Sequence, residues 1–369
     1  MPELRKATDA EWELELVSYI QNDMVDPHGI RLFKNGNYAL VPDKNGGAIF
    51  CLDVSDPENM KILSTVVAEE TKGAHYVTIG IDEHFAYTGA RGHFTVLDIS
   101  DPENLSIYGD VEVVPAGESV VTQEIVLEQK RDRAYMAETG TCQIFAVDIS
   151  DKINPTVICS VKGAGYPNFL ESVAHLELDE DREVLFSTSY RDHHVGSFDV
   201  SPTGKISLFD TEGEKMGTPH ELILNGNFLY IACMYATDDG PPYDDPNDGS
   251  LVVYEVSNPS DMKYVTEVRM GTNFPANKYP FDHIHGLRLD PKTGLLYASS
   301  QKSHGRKPID NNCALTVFDI QNPAAPKWIL SLHDKEVLNG AQQVDFYGDY
   351  LFTANHDHPN VACFRLRRI

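Results

Sequence analysis

Histidines recur at one position of a repeated sequence pattern, and imidazole is well suited to proton transfer and to transition-metal binding near neutral pH. Four segments, PHGIRL, AHYVTI, PHELIL and IHGLRL, each place a histidine directly ahead of an alternating apolar run. These histidines are His28, His75, His220 and His285. The pattern predicts that they bind one divalent transition metal (Fe, Zn, Cu or Mn) or share acid and base chemistry.

Three other segments align with these four and differ at the same position. TQEIVL carries Gln123, AQQVDF carries Gln342, and AHLELD carries Ala174 with His175 one place later. If the segments are arranged in a ring, all seven positions converge at one mouth of its central channel. We therefore expect Gln123, Gln342 and His175 to contact a substrate beside the metal.

The alternating runs belong to a repeat of strand, turn and strand. Three copies are IFCLDVSDPENMKILSTV (49–66), FTVLDISDPENLSIYGDV (94–111) and LTVFDIQNPAAPKWILSL (315–332). Asp, Asn and Pro favour the turn, and two more strands with a period of two precede each copy. Four strands per unit, recurring about every 45–65 residues, predict a β-propeller.

Six complete units are visible, and a seventh contains only three strands. The N-terminal segment EWELELVSYI (11–20) has the pattern of the missing outer strand, and its addition would remove a free sheet edge. The sequence therefore predicts an all-β fold, a single seven-bladed propeller domain over 1–369 whose last blade is closed by the N-terminal strand. The predicted blades are 28–66, 75–111, 123–161, 174–212, 220–268, 285–332, and 342–369 with 11–20.

The segments LDVSDPENM, LDISDPENL and VDISDKINP resemble those of the LVIVD-repeat β-propellers, and the resemblance covers nearly the whole chain. It implies the propeller fold. It implies little about activity, because that family mostly lacks an assigned one and a propeller hosts many chemistries. FDVSPTGKI, in the fourth unit, departs from the repeat because it lacks the Asp-Pro turn.

The turns between the second and third strands of a propeller blade lie on the same face as the starts of the inner strands. Here these turns include SYRDHH (189–194) and NHDHP (355–359), which supply groups for acid–base catalysis and for oxyanion stabilisation. The predicted catalytic residues are Tyr190, Arg191, His194, His356 and His358. Further substrate contacts are predicted for Arg91, His93, Tyr235 and His304.

Two carboxylates stand next to ring positions, and they are expected to orient the metal ligands by hydrogen bonding. They are Glu124 and Glu221. The sequence contains no Walker A, G-x-G-x-x-G or G-x-S-x-G motif, so neither a nucleotide cofactor nor serine-hydrolase chemistry is expected.

Charge and composition narrow the class of partner. A net charge of −26 disfavours nucleic acid and anionic membranes. The sequence has no apolar run of about 18 residues and no apolar N-terminal segment, so neither a membrane span nor a signal peptide is expected. Six scattered cysteines fit a reducing compartment. We expect a cytoplasmic protein that binds a small-molecule substrate, and the sequence leaves the oligomeric state open.

These observations predict an enzyme that acts on a small organic molecule in the central funnel, by oxidative cleavage, elimination, isomerisation or cyclisation. It would be a metal- or histidine-dependent lyase, isomerase or oxidoreductase. Two alternatives stay open. One is a non-catalytic propeller that binds a protein partner through its loop-rich face. The other is a polysaccharide lyase, which the acidic net charge disfavours.

Overall fold

A computed structural model describes most of the chain. The described residues are 11–115, 121–163, 170–202, 205–213, 215–234, 249–269, 283–301 and 313–369, with the backbone of 5–8. Their helical segments are two single 3₁₀ turns, Glu69–Thr71 and Gln129–Arg131. In this part of the chain no helix has the length and apolar character needed to cross a membrane.

The strands form seven antiparallel sheets, which are the blades of the propeller. The first two strands, β1 (Arg5–Thr8) and β2 (Trp12–Ile20), join blades that the chain completes much later. Blade 1 contains β3 (Arg31–Phe33), β4 (Tyr38–Asp43), β5 (Ala48–Asp53) and β6 (Lys61–Val67). Blade 2 contains β7 (Val77–Ile79), β8 (Phe85–Ala90), β9 (His93–Asp98) and β10 (Ser106–Glu112). Blade 3 contains β11 (Thr122–Glu128), β12 (Arg133–Glu138), β13 (Gln143–Asp148) and β14 (Thr156–Lys162).

The remaining blades continue in chain order. Blade 4 contains β15 (Val173–Asp179), β16 (Val184–Ser189), β17 (His194–Asp199) and β18 (Ser207–Glu212). Blade 5 contains β19 (Pro219–Asn225), β20 (Phe228–Cys233), β21 (Ser250–Glu255) and β22 (Lys263–Arg269). Blade 6 contains β23 (Ile284–Asp290), β24 (Leu295–Ser300), β25 (Ala314–Asp319) and β26 (Lys327–His333). Blade 7 contains β27 (Ala341–Tyr347), β28 (Tyr350–Asn355) and β29 (Asn360–Arg368).

The repeated Asp-x-Ser motif ends the third strand of a blade. Asp53 Oδ1 accepts hydrogen bonds from the backbone N–H and the hydroxyl of Ser55, at 3.0 and 2.6 Å. Asp98 makes the same pair of bonds in blade 2. In blade 4, Asp199 accepts from the backbone N–H of Ser201 at 2.9 Å, although this unit lacks the Asp-Pro turn. The side-chain oxygen binds a backbone donor that would otherwise continue the ladder, so the strand stops.

The hydrophobic core is divided among the seven interfaces between adjacent blades. Alternate residues of a strand point to opposite faces, so each sheet packs against both of its neighbours. Between blades 2 and 3, for example, Tyr87 and Phe94 share a buried cluster with Ile125 and Met136. Because blade-to-blade packing provides the core, the innermost strands can present polar side chains to the axis.

The N-terminal strand closes the ring as the sequence predicted. β2 pairs with β29 as the outer strand of blade 7, and Leu14 is buried in the core between blades 6 and 7. Blades 1 and 7 are also joined near the axis: the N–H of Ile30 donates to Gln343 Oε1 at 3.1 Å, and that of Leu32 to Asp345 Oδ2 at 2.8 Å. One feature was not predicted: β1 adds a fifth strand to the outer edge of blade 6.

Candidate functional site

A β-bulge stands near the start of the inner strand in blades 3 to 7, where the pairing register with the second strand shifts. A bulge interrupts strict alternation, so consecutive residues can turn toward the same side. In blade 5, His220 and Glu221 both reach the axial site in this way. In blade 4, the bulge brings His175 to the axis, although the sequence alignment placed Ala174 in register.

Six imidazoles meet around the axis and are called the imidazole cluster: His28, His75, His175, His220, His285 and His356. One half of the cluster comes from blades 7, 1 and 2. Its ring centroids lie 5.1 Å apart between His28 and His75, and 5.1 Å apart between His28 and His356.

The other half of the cluster comes from blades 4, 5 and 6. The ring centroid of His220 lies 4.5 Å from that of His175 and 3.6 Å from that of His285. The buried Tyr76 stands between the halves, with its ring centroid 6.2 Å from that of His75 and 5.0 Å from that of His175. The two halves are therefore continuous through one phenol ring.

A fixed acceptor holds the Nδ1–H of four cluster imidazoles. His75 donates to the Gly73 carbonyl at 3.1 Å, and His285 donates to the Gln342 carbonyl at 3.1 Å. The acceptor is a carboxylate for the other two: Asp26 lies 3.0 Å from Nδ1 of His28, and Glu124 accepts from Nδ1 of His175. In the neutral imidazole, Nε2 then carries the lone pair.

Burial, the largest cause, lowers the pKa values of His75, His220 and His285 well below their usual range. Neighbouring imidazoles add to this effect, since a charge on one disfavours a charge on the next. The three rings are therefore neutral at neutral pH. Proton acceptance and metal coordination both require the neutral form.

The four imidazoles predicted as ligands of one metal are divided between the two halves of the cluster. His28 and His75 lie in one half, and His220 and His285 in the other. In the described part of the chain, no three of these residues bring donor nitrogens within 4.8 Å of one another. The geometry does not assemble them into one ligand set.

A histidine and two carboxylates do form such a group. The donor atoms of Glu124, His175 and Glu221 all lie within 4.8 Å of one another, and the three residues are buried. Burial tends to raise the pKa of Glu124, but His175 and Arg31 outweigh it and leave the pKa below its ordinary value. Burial is also the largest cause at Glu221 and raises its pKa to about 7, with His175 opposing and Glu124 reinforcing the shift.

Both carboxylates, Glu124 and Glu221, line a polar chamber of about 280 Å³ that is formed mainly by inner-strand residues. Its wall includes Arg31, Glu177 and Arg288, which the sequence analysis missed. Burial, the largest cause, raises the pKa of Glu177 to about 8, and Asp345 raises the pKa of Arg288. The sequence contained a pattern that could have identified them. All three stand three residues after the aligned position at the start of the inner strand, in strands that are otherwise largely apolar.

The predicted catalytic residues of the turns do not all reach the cluster. His356 does, and its Nε2 accepts a hydrogen bond from Gln301 at 2.8 Å. His358 is exposed and contacts Gln21 and the Glu336 carbonyl instead.

The other three predicted catalytic residues belong to the turn of blade 4. The guanidinium of Arg191 lies 5.8 Å from the Tyr190 ring centroid. His194 donates to the Asp192 carbonyl at 2.5 Å and packs against Gly213, which follows the outer strand. Their contacts are therefore made within blade 4 itself.

The residues predicted to bind substrate are also dispersed. Gln342 is buried and orients His285 through its carbonyl, whereas Gln123 is half-buried at the bulge of β11. Arg91 is exposed and pairs with Glu69 at 3.2 Å. His93 donates to Asp110 at 2.8 Å on the outer side of blade 2. Tyr235 and His304 lie outside the described residues.

The fold and the axial site define a class of protein, a seven-bladed β-propeller with a histidine–carboxylate cluster at its centre. The family model for the LVIVD repeat matches residues 34–67, 77–113 and 246–269. The chain therefore carries LVIVD repeats, and the resemblance noted in its sequence is confirmed.

Solved structures resemble this chain over nearly its whole length, whereas no curated protein matched it. A structure of Kuenenia stuttgartiensis hydrazine synthase has 13% identity and a TM-score of 0.70, covering 94% of this chain and 97% of that one. The β-propeller domain of Myceliophteria thermophila Cps50 (Swd1) has 11% identity and a TM-score of 0.68, covering 96% and 99%. At such low identity the likeness shows the fold alone.

Proposed function

We propose that this protein is an enzyme that moves protons on a small organic molecule at the mouth of the central channel, in an elimination or an isomerisation. The proposal rests on one observation, which is the common hydrogen-bonding arrangement of the buried imidazoles of His28, His75, His175 and His285. Each has its Nδ1–H held by a fixed acceptor, so that Nε2 is ready to accept a proton. A general base in an enzyme needs this combination of orientation and lone pair.

The carboxylates behind two of these rings strengthen the proposal. Asp26 faces Nδ1 of His28, and Glu124 faces Nδ1 of His175. A carboxylate in this position holds the imidazole in one tautomer and stabilises the imidazolium that forms when Nε2 takes a proton. His28 and His175 are therefore the proposed bases, and their neutral neighbours are the proposed donors and acceptors for the substrate.

The transition metal predicted for His28, His75, His220 and His285 fits the chemistry of neutral imidazole but not the separation of the two halves of the cluster. We therefore route no step of the proposed reaction through a metal held by these four residues.

A small substrate is favoured over an acidic polysaccharide. The lyase alternative requires free basic groups on the turn face, whereas Arg91 pairs with Glu69 and Arg191 packs on Tyr190. The cluster histidines of blades 1, 2, 5 and 6 are each exposed by no more than 7%, which leaves no open surface along which a polymer chain could bind.

The test is turnover of a small-molecule extract, followed by mass spectrometry. Wild-type protein and the control His84→Ala, an exposed histidine outside the cluster, should deplete the same compound. The double variant His28→Ala/His175→Ala should lose at least about 100-fold in rate, because general bases contribute roughly 10²–10⁴-fold. Equal turnover by the double variant, or no turnover by wild type, would contradict the proposal.

A further inference from the structure

Three donor side chains near the axis form a compact group, and two of them, Glu124 and His175, also take part in the proposed proton transfer. The donor atoms of Glu124, His175 and Glu221 lie within 4.8 Å of one another, and the two carboxylates line the polar chamber. They come from the inner strands of three consecutive blades, so the ring closure of the fold holds them in place.

Two polar atoms on these side chains lack a hydrogen-bond partner among the described residues. They are Oε2 of Glu221 and Nε2 of His175, on side chains that are only 5% and 0% exposed. Buried polar atoms in native proteins are usually paired, and an unpaired carboxylate oxygen is costly. A bound cation would satisfy both the oxygen and the carboxylate charge.

The charges around the chamber also point to a cation. Asp345 neutralises Arg288 through a contact of 2.9 Å with its Nε. Arg31 is then the remaining cationic side chain in the described wall, 3.7 Å from Glu124 and 4.0 Å from Glu221. It faces three carboxylates: Glu124, Glu177 and Glu221. The described wall therefore holds more carboxylates than cationic side chains, which favours a bound cation.

We infer that Glu124, His175 and Glu221 bind one divalent metal ion beside the polar chamber. Carboxylates favour Mg²⁺, Ca²⁺ and Mn²⁺, whereas imidazole favours Fe, Cu, Ni and Zn. One imidazole with two carboxylates therefore suits an ion between these classes, such as Mn²⁺ or Fe²⁺. The site differs from the four-histidine centre expected from the sequence, and it shares Glu124 and His175 with the proposed proton transfer.

The test removes metals from the full-length protein with a chelator and then titrates it with Mn²⁺. Binding is measured as the loss of the electron paramagnetic resonance signal of free Mn²⁺. Wild type should bind one equivalent. Glu124→Gln and Glu221→Gln should each weaken binding at least about 100-fold, since even loss of an outer partner costs 10–100-fold. The matched control is Glu138→Gln, a buried carboxamide substitution in blade 3 that should leave binding unchanged.

A second variant tests the charge argument. Arg31→Met removes the cation nearest the proposed ligands and should tighten Mn²⁺ binding about tenfold, because the guanidinium lies 3.7 Å from Glu124 and 4.0 Å from Glu221 and competes with the ion for their negative charge. Weaker binding by this variant would overturn the inference.

Two further results would overturn it: wild type without stoichiometric binding, or equal binding by both ligand variants when circular dichroism shows them folded. Loss of Mn²⁺ binding in His28→Ala but not in Glu221→Gln would show that the ion binds to the imidazoles instead, and would also overturn the inference. None of these results depends on turnover, so the inference and the proposed function can fail separately.

Discussion

The imidazoles of His220 and His285 lie with their ring centroids 3.6 Å apart, on the inner strands of two consecutive blades. The carbonyl of Gln342, on the inner strand of the next blade, accepts a hydrogen bond from Nδ1 of His285 at 3.1 Å. His285 is therefore oriented by the blade that follows it. The packing of consecutive blades into a ring therefore also positions imidazoles of the cluster.

Stability should fall in mild acid because of the cluster. His75, His220 and His285 have lowered pKa values in the fold, whereas an unfolded histidine titrates near about 6.5. Below that pH the unfolded chain takes up protons that the fold excludes, so the free energy of unfolding decreases as the pH falls. We expect a loss of about 1 kcal/mol or more per imidazole at pH 5 relative to pH 7.5, measured by urea unfolding at both values.

His285→Gln should flatten this pH dependence, because the amide does not titrate and glutamine already occupies the aligned positions 123 and 342. An unchanged difference between pH 5 and pH 7.5 in this variant would show that the acid sensitivity arises elsewhere.

Glu177 should have the opposite pH dependence. Its pKa is about 8 in the fold, so the fold keeps a proton that the unfolded chain releases above about 4.5. The stabilisation from this group is complete below that lower value and is lost as the pH rises through 8. Glu124, Glu221 and Arg288 face the carboxyl, and the chamber gives it access to water, which limits the effect.

We expect Glu177→Gln to raise the free energy of unfolding by about 1 kcal/mol at pH 8 and to change it little at pH 4.5. Chemical denaturation of both proteins at the two pH values measures this. A variant that is less stable than wild type at pH 8 would contradict the prediction.

The bond between Glu124 and His175 should contribute to stability, because both side chains are buried. Glu124→Ala leaves Nδ1 of His175 without its acceptor and should cost about 2–3 kcal/mol. Glu124→Gln keeps a carbonyl oxygen in place and should cost less. Guanidinium unfolding of wild type and both variants gives the comparison, and equal losses in the two variants would show that the bond contributes little.

Closure of the ring can be tested at Leu14, which is 2% exposed in the core between blades 6 and 7. Leu14→Ala should lower the free energy of unfolding by about 2–4 kcal/mol, because it removes buried methyl groups and leaves a cavity. The control is Glu15→Ala on the same strand, which breaks an exposed contact with Arg367 worth at most about 1 kcal/mol. Similar losses in the two variants would mean that β2 adds little to the closure.

Much of the fold follows from sequence pattern. The Asp-x-Ser turns repeat, the flanking runs alternate, and the outer strand missing from the last unit is found at the N-terminus, so the number of blades and their closure were predictable. β1 was not predictable in this way. Its pairing with β26 completes no repeat, and a short segment contains no pattern that identifies a partner 324 residues away, as Ser331 is for Ala7.

The axial site was predictable only in part. Alignment of the inner strands identified His28, His75, His220 and His285 as residues of one channel mouth, and the structure places all four in the imidazole cluster. The alignment assigned His175 to an offset position, since a linear pattern assumes that alternate residues share a face. A β-bulge breaks that assumption by inserting one residue.

The sequence established that these imidazoles share one end of one channel, because a repeat places equivalent positions at equivalent heights around an axis. The tertiary structure decided which nitrogen of each ring is held, which carboxylates reach His175, and where charge accumulates in the chamber. Those properties depend on contacts between strands of different blades, over distances of a few ångströms. A shift of one residue in strand register changes such contacts completely while leaving the repeat pattern unaltered.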